Sequence, residues 1–285
     1  MGLLPRAAAR RVGAAFVAMA YRVRTPLRRA AIFNLKLVFP KMSEAERDQI
    51  IRGMIQQIGW MAGEFSQFPK YTAENISEIV TIDGAQYFDC AHRRGKGVIF
   101  LTGHMSAWEL APFAHALYGH PLHFLVRPLA NPRVDALINC YRCLSGNQPI
   151  EKNRSARAIL KVLSERGTVG ILADTNTALE EGVFVNFCGI PAATTSGIAR
   201  IALRTDAAVV PGFLVWDKAQ KKYRLQFSRA LDLVRSGDED DDVVENTARF
   251  TAVIEAYVRE HRDQWMWVHK RWKNRPPGEP TIYPF

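Results

Sequence analysis

The sequence has few cysteines and no acidic residue near its start. Cys90, Cys140, Cys143 and Cys188 are few for 285 residues and lack regular spacing, which argues against a disulfide framework and for a reducing compartment. Cys140-x-x-Cys143 has no second Cys/His pair at a finger-like distance and lies in a segment that reads as helical, so no metal is expected there. The apolar run VGAAFVAMAY, Val12 to Tyr21, is too short to cross a bilayer alone, since ten residues rise about 15 Å as a helix, about half the hydrocarbon core. Internal repeats, low-complexity linkers and a G-x-S-x-G elbow for a covalent serine nucleophile are missing too.

Basic residues and apolar periodicity are what the chain does have. Of its 38 Lys and Arg, nine fall within residues 1–43, which hold no Asp or Glu; that leaves 29 basic against 28 acidic residues in the remainder. A charge confined to one end argues against a protein-wide nucleic-acid surface and for one basic address. Combined with the apolar run, it predicts a basic amphipathic membrane-associating segment over 1–42, with 43–285 as one folded domain that is expected to fold without it. Ala18-Met19-Ala20 and the acid-free start also resemble a signal-peptidase site and a transit peptide, but basic residues continue past the cleavage point into the apparent fold.

Apolar spacing predicts a helix over 43–68, with Ser43 and Glu46 as a capping box, and a short strand at 79–82. An alternation follows: strand 97–102, helix 106–117, strand 122–127, helix 132–144, helix 154–165, strand 168–173, strand 183–187, helix 195–205, strands 208–215 and 223–228. This pattern predicts a single α/β domain whose sheet is covered by helices on both faces, with ligands at the C-terminal ends of strands. Asp238 to Asp242 reads as a solvated loop before a helix over 243–258. The ending QWMWVHKRWKNRPPGEP mixes tryptophans with cations and fits a nucleic-acid grip, a headgroup interface or a docked tail.

His104 and Glu109, in LTGHMSAWEL, stand where the strand at 97–102 gives way to a helix. Ser106 and Glu109 fit a capping box, which would give the glutamate a purely structural duty. Alternatively His104 accepts a proton from a hydroxyl at neutral pH, and a carboxylate on its other ring nitrogen fixes the tautomer and stabilises the imidazolium. With no serine elbow, the nucleophile would be the substrate's own hydroxyl. Arg127, at the end of a strand, could hold a phosphate by two parallel hydrogen bonds. Asp174 ends another strand, where it could orient Arg127 or the acceptor, or simply serve a turn.

GHMSAWE resembles the H-x-x-x-x-D/E signature of the glycerolipid acyltransferase superfamily, in the form found in bacterial late acyltransferases of lipid A biosynthesis. Further blocks stand in that family's order: VRPLANP at 126–132, LADTN at 172–176, GVFVNFCGIPAATTSGIARIALRTDAAVVPGFLVW at 182–216 and QWMWVHKRWKNRP at 264–276. The resemblance runs from about Arg28 to Pro276. It implies a glycerol-3-phosphate acyltransferase-like fold, a central mixed sheet flanked by helices. It also implies transfer of a fatty acyl group from a thioester, on acyl carrier protein or coenzyme A, to a hydroxyl of a lipid-anchored sugar at the cytoplasmic face of the inner membrane. On that reading His104 and Glu109 are the catalytic pair, Arg127 and Asp174 bind substrate, and no cofactor is needed. The same chemistry on a phosphoinositol mannoside or a phospholipid, or a non-catalytic basic membrane-binding protein, are the competing readings. The chain departs from the family's pattern in its short N-terminal apolar segment and in Asn176, where some relatives have a second acidic residue.

Overall fold

The apolar runs of the middle of the chain form the centre of a seven-stranded sheet, in a computed structural model that describes residues 1–151 and 155–285. Its strands are β1 (Val80–Asp83), β2 (Val98–Thr102), β3 (His123–Val126), β4 (Gln148–Glu151), β5 (Thr168–Leu172), β8 (Ala208–Asp217) and β9 (Lys222–Phe227). They lie in the order β1-β9-β8-β2-β5-β3-β4, parallel throughout except for β8 against β9. β6 (Gly182–Phe187) and β7 (Ile190–Thr195) form a separate antiparallel hairpin. Strand β2 shows why the runs are continuous: Ile99 and Leu101 enter one core and Val98 and Phe100 the other, so both faces are buried and Val98 to Leu101 are all apolar.

Helices α1 (Arg6–Val23), α2 (Thr25–Val38), α3 (Glu44–Phe65), α4 (Ala85–Arg93), α5 (Leu110–Leu117), α6 (Pro132–Cys143), α7 (Ser155–Ser164), α8 (Gly197–Thr205) and α9 (Glu239–Glu260) flank the sheet. The Ser43/Glu46 capping box forms as expected at the start of α3. The helix expected over 106–117 starts only at Leu110, and position 154 of the helix expected over 154–165 lies outside the described residues. The acidic run is not a loop. Asp238 caps α9, accepting from the amides of Asp240 and Asp241, and Glu239 to Asp242 fill the first turn, where the positive end of the helix dipole offsets their mutual repulsion. Helix α4, β7 and β4 do not stand out in the sequence; β4 is an edge strand carrying Pro149, a residue that edges tolerate.

The first 42 residues are built into the fold rather than appended to it. Helix α1 lies against α3 through Gly13, Gly59 and Gly63; a Cβ on Gly13 would come within 2.1 Å of the Gly59 carbonyl oxygen, so only glycine permits the approach. Beside this contact the fully buried Glu64 carboxylate accepts hydrogen bonds from Arg6 Nε (3.0 Å), Arg10 Nε and the Tyr71 hydroxyl. The Arg10 guanidinium lies 4.6 Å from the ring centroids of both Trp60 and Trp216. In α2, Ala30, Ala31 and Leu35 are buried, and Asn34 donates to the carbonyls of Trp267 (2.7 Å) and His269 (2.8 Å). A boundary at residue 42 therefore cuts through a packed core. The outer face of α1 is different: Val12, Phe16, Met19 and Val23, spaced to form one helical stripe, are 45%, 65%, 59% and 74% exposed. Among the described residues no helix is long and apolar enough to cross a membrane.

Candidate active site

Strands β2 and β5 are neighbours in parallel register, with Thr102 opposite Leu172, so residues equally far beyond those ends emerge side by side. That brings His104 to Asp174 across 70 positions of sequence. His104 Nδ1 lies 2.7 Å from Asp174 Oδ1, and the His104 amide donates to Asp174 Oδ2 at 2.7 Å. Gly103 makes room for this: a Cβ there would sit 3.1 Å from the Asp174 carboxyl carbon. Met105 forms an isolated antiparallel bridge with Trp265, and Ser106, at φ 50°, turns the chain away with its amide on the Gln264 carbonyl. The C-terminal segment thus clamps the loop that carries His104. It also supplies a third donor, since Trp265 Nε1 donates to Asp174 Oδ2 at 2.7 Å.

These contacts decide the protonation states. Burial opposes charge on Asp174, but His104, Trp265 and the His104 amide outweigh it and hold the carboxyl below the usual carboxylate range. An ionised carboxylate only accepts, so the neutral His104 ring carries its proton on Nδ1 and keeps its lone pair on Nε2. Burial also disfavours the His104 imidazolium, yet the charge and hydrogen bond of Asp174, with a further contribution from Glu109, raise its pKa above 6.5. The edge-to-face Trp108 ring, 5.1 Å away, helps fix the imidazole plane.

The carboxylate behind His104 is therefore Asp174 and not Glu109, which the sequence had offered for that place. The reason is local: residues 103–109 form an irregular loop rather than a helical turn, so His104 and Glu109 do not share a face. The Ser106/Glu109 capping box does not form either; Ser106 Oγ donates to Gln57, and Glu109 makes no side-chain cap at the start of α5. Glu109 instead takes two parallel hydrogen bonds from Arg142 on α6, Nε to Oε2 at 2.8 Å and Nη2 to Oε1 at 2.5 Å. Both side chains line the cavity that holds His104. Charge-assisted bonds contribute about 1.5–3 kcal/mol, so Glu109→Gln and Arg142→Ala should each cost about 10- to 100-fold in turnover. Residues acting as a pair lose their effect together, so the double variant should be scarcely worse than either single one, as a double-mutant cycle on turnover would read.

The cavity, 580 Å³, is of ligand-binding size and opens where α/β sheets hold ligands. Its polar end holds His104, Glu109, Arg142 and His269, and its apolar part is lined by Phe100, Leu122 and Phe124 on the α5 side of the sheet. Arg127 is exposed on its wall and, among the described residues, makes no ion pair or hydrogen bond; in particular it is not held by Asp174. Trp265, Arg142 and His269 were not singled out as site residues by the sequence. The block QWMWVHKRW was the available signal for two of them, and its tryptophans prove to be core: Trp265, Trp267 and Trp272 are at most 1% exposed, with Arg271 buried among them, so the tail is docked.

Comparison with known proteins gives the family. A family model described as bacterial lipid A biosynthesis acyltransferase matches residues 1–274. The lipid A biosynthesis myristoyltransferase of Escherichia coli (strain K12) is 26% identical over 256 residues, 90% of this chain and 78% of that protein. The lauroyltransferase of the same strain is 26% identical over 259 residues, 90% and 83% of the two chains. A lipid A biosynthesis acyltransferase of Haemophilus influenzae is 26% identical over 250 residues, 86% and 76%. The seven-stranded sheet, the His104-bearing strand end above an apolar cavity and the match along nearly the whole length agree: the chain belongs to the bacterial lipid A biosynthesis acyltransferase family.

Proposed function

We propose that the protein transfers a fatty acyl group from a thioester, on acyl carrier protein or coenzyme A, to a hydroxyl of a lipid A precursor at the cytoplasmic face of the inner membrane. The observation that carries this reading is an imidazole whose Nδ1 is committed to an ionised Asp174 while the same ring borders an apolar cavity. The acyl chain lies in that cavity with its carbonyl carbon near His104. Nε2 takes the proton of the acceptor hydroxyl as its oxygen bonds to the carbonyl carbon, giving a tetrahedral oxyanion. Collapse of this intermediate breaks the carbon–sulfur bond, and the imidazolium returns the proton to the departing thiolate. Asp174 stabilises the imidazolium between those steps and stays ionised. Arg127 at the cavity wall offers two-pronged binding to a phosphate of acceptor or donor.

Because the base must be neutral and its pKa is raised, activity should fall as pH drops through a value above 6.5, read as the acidic limb of kcat/KM. The test of the reaction is acyl transfer by the purified chain, with lipid A precursor, phosphoinositol mannoside and phospholipid offered in parallel. Ester formation on the lipid A precursor supports the reading. Transfer confined to one of the others assigns the same chemistry to that acceptor.

Membrane association is proposed for the exposed stripe of α1 together with Arg11, Arg22, Arg24, Arg28 and Arg29, all of them exposed. Each cation near an anionic surface contributes about 1 kcal/mol, and Phe16 and Val23 add apolar burial. Phe16→Glu with Val23→Glu should release the folded protein from anionic vesicles in a flotation assay. Retention of the double variant at wild-type level would reassign the membrane contact. Point changes suit this better than deletion, since removing residues 1–42 also removes Leu35 and Asn34 from the core.

A further inference from the structure

We propose that His269 is a second catalytic imidazole, a neutral N–H donor that hydrogen-bonds the thioester carbonyl oxygen as it becomes the oxyanion. The inference rests on the acyl transfer proposed above and goes beyond it by giving the developing charge a partner, which neither His104 nor Asp174 supplies.

The argument starts from the tautomer. The Asn176 amide donates to His269 Nε2 at 2.9 Å. A backbone N–H can only donate, so Nε2 is the acceptor and, in the neutral ring, the proton sits on Nδ1. No described residue accepts from that Nδ1, and the side chain borders the same cavity as His104. Burial, helped by the charges of His104, Arg271 and Lys273 against the opposing pull of Asp174, holds the pKa near 4, so the ring is uncharged at neutral pH. The backbone on which it stands is fixed as well. The His269 carbonyl accepts from Asn34 Nδ2 (2.8 Å) and from the Arg271 amide (2.9 Å), and Asn176, which orients the ring, accepts through its side-chain oxygen from the Asn274 amide (3.0 Å). A donor fixed before the reaction needs no reorganisation when charge develops, which is what makes such groups effective in catalysis. The two neutral imidazoles thus hold the same Nδ1–H tautomer, but the nitrogens left without a protein partner are opposite ones, Nε2 in His104 and Nδ1 in His269. His104 presents a lone pair on Nε2 because its Nδ1–H donates to Asp174, and His269 presents an Nδ1–H because the Asn176 amide occupies Nε2. One can accept the hydroxyl proton while the other donates to the carbonyl oxygen.

The test uses the full chain, a long-chain acyl thioester and the lipid A precursor. His269→Phe keeps the ring's bulk but has no donor, and should lower kcat by about 10²–10³ with KM for the thioester little changed. His269→Gln restores an N–H and should recover part of the loss, which a merely structural role of the ring would not predict. The slow hydrolysis of the thioester without acceptor should fall with the transfer rate, because both pass through the same oxyanion. Nitrogen-15 NMR of the histidine-labelled wild type should include a ring that is neutral and protonated on Nδ1 at pH 7 and whose signals are lost in His269→Phe. This reading needs no variant to be active. A folded His269→Phe protein with wild-type kcat, or a wild-type His269 ring protonated on Nε2, overturns the assignment. A wild type that transfers no acyl group to any of the three acceptors overturns the proposed function, and this inference with it.

Discussion

Asp174→Asn is expected to lower kcat by three to four orders of magnitude, on the order of the loss when a triad carboxylate becomes an amide, with little change in folding. The asparagine oxygen will stay with the two donors that converge on Oδ2, the His104 amide and Trp265 Nε1. Its NH₂ group then faces His104 Nδ1, where it can only donate. The imidazole proton is driven to Nε2, and the nitrogen that should take the hydroxyl proton already carries one. Kinetics of acyl transfer with thermal unfolding as the folding control will read this. Turnover within about tenfold of wild type would remove Asp174 from the catalytic unit.

The second large effect is on stability. Glu64→Ala leaves Arg6, Arg10 and the Tyr71 hydroxyl without their shared acceptor in a buried place, and breaking a buried ion pair costs about 3–5 kcal/mol. For a chain of this size that is a fall in Tm on the order of 10 °C. The damage should reach the membrane contact as well, because α1 is held to α3 through this carboxylate. A Tm within about 2 °C of wild type would mean that the glycine contact alone seats α1.

These two sites also show how far the sequence could be read. Most strands and helices were legible because both-face burial makes the middles of β2, β5 and β8 free of charged and strongly polar residues, and helical spacing marks α3 and α9. The dyad was half legible. His104 was found from its place at a strand end, and Asp174 was noticed at another, but pairing them needs the β2/β5 register, which depends on contacts 70 residues apart. A nearby carboxylate, Glu109, was the natural choice and proves to be held by Arg142. The N-terminal charges misled in a similar way. Arg6 and Arg10 read as part of a basic amphipathic membrane-associating segment because their partner, Glu64, is more than 50 residues away. The acidic run at 238–242 read as a loop because repulsion was weighed without the helix dipole that offsets it.

One measurement bears most directly on the central claim that His104, backed by Asp174, activates a lipid hydroxyl toward an acyl thioester. The purified chain is incubated with thioester and lipid A precursor, and the lipid is weighed by mass spectrometry, beside the folded His104→Ala variant. The account predicts a lipid heavier by one acyl group with wild type and, with the variant, at least a 10²- to 10⁴-fold slower gain, the usual contribution of a general base. Acyl-lipid formed by folded His104→Ala at the wild-type rate would contradict it.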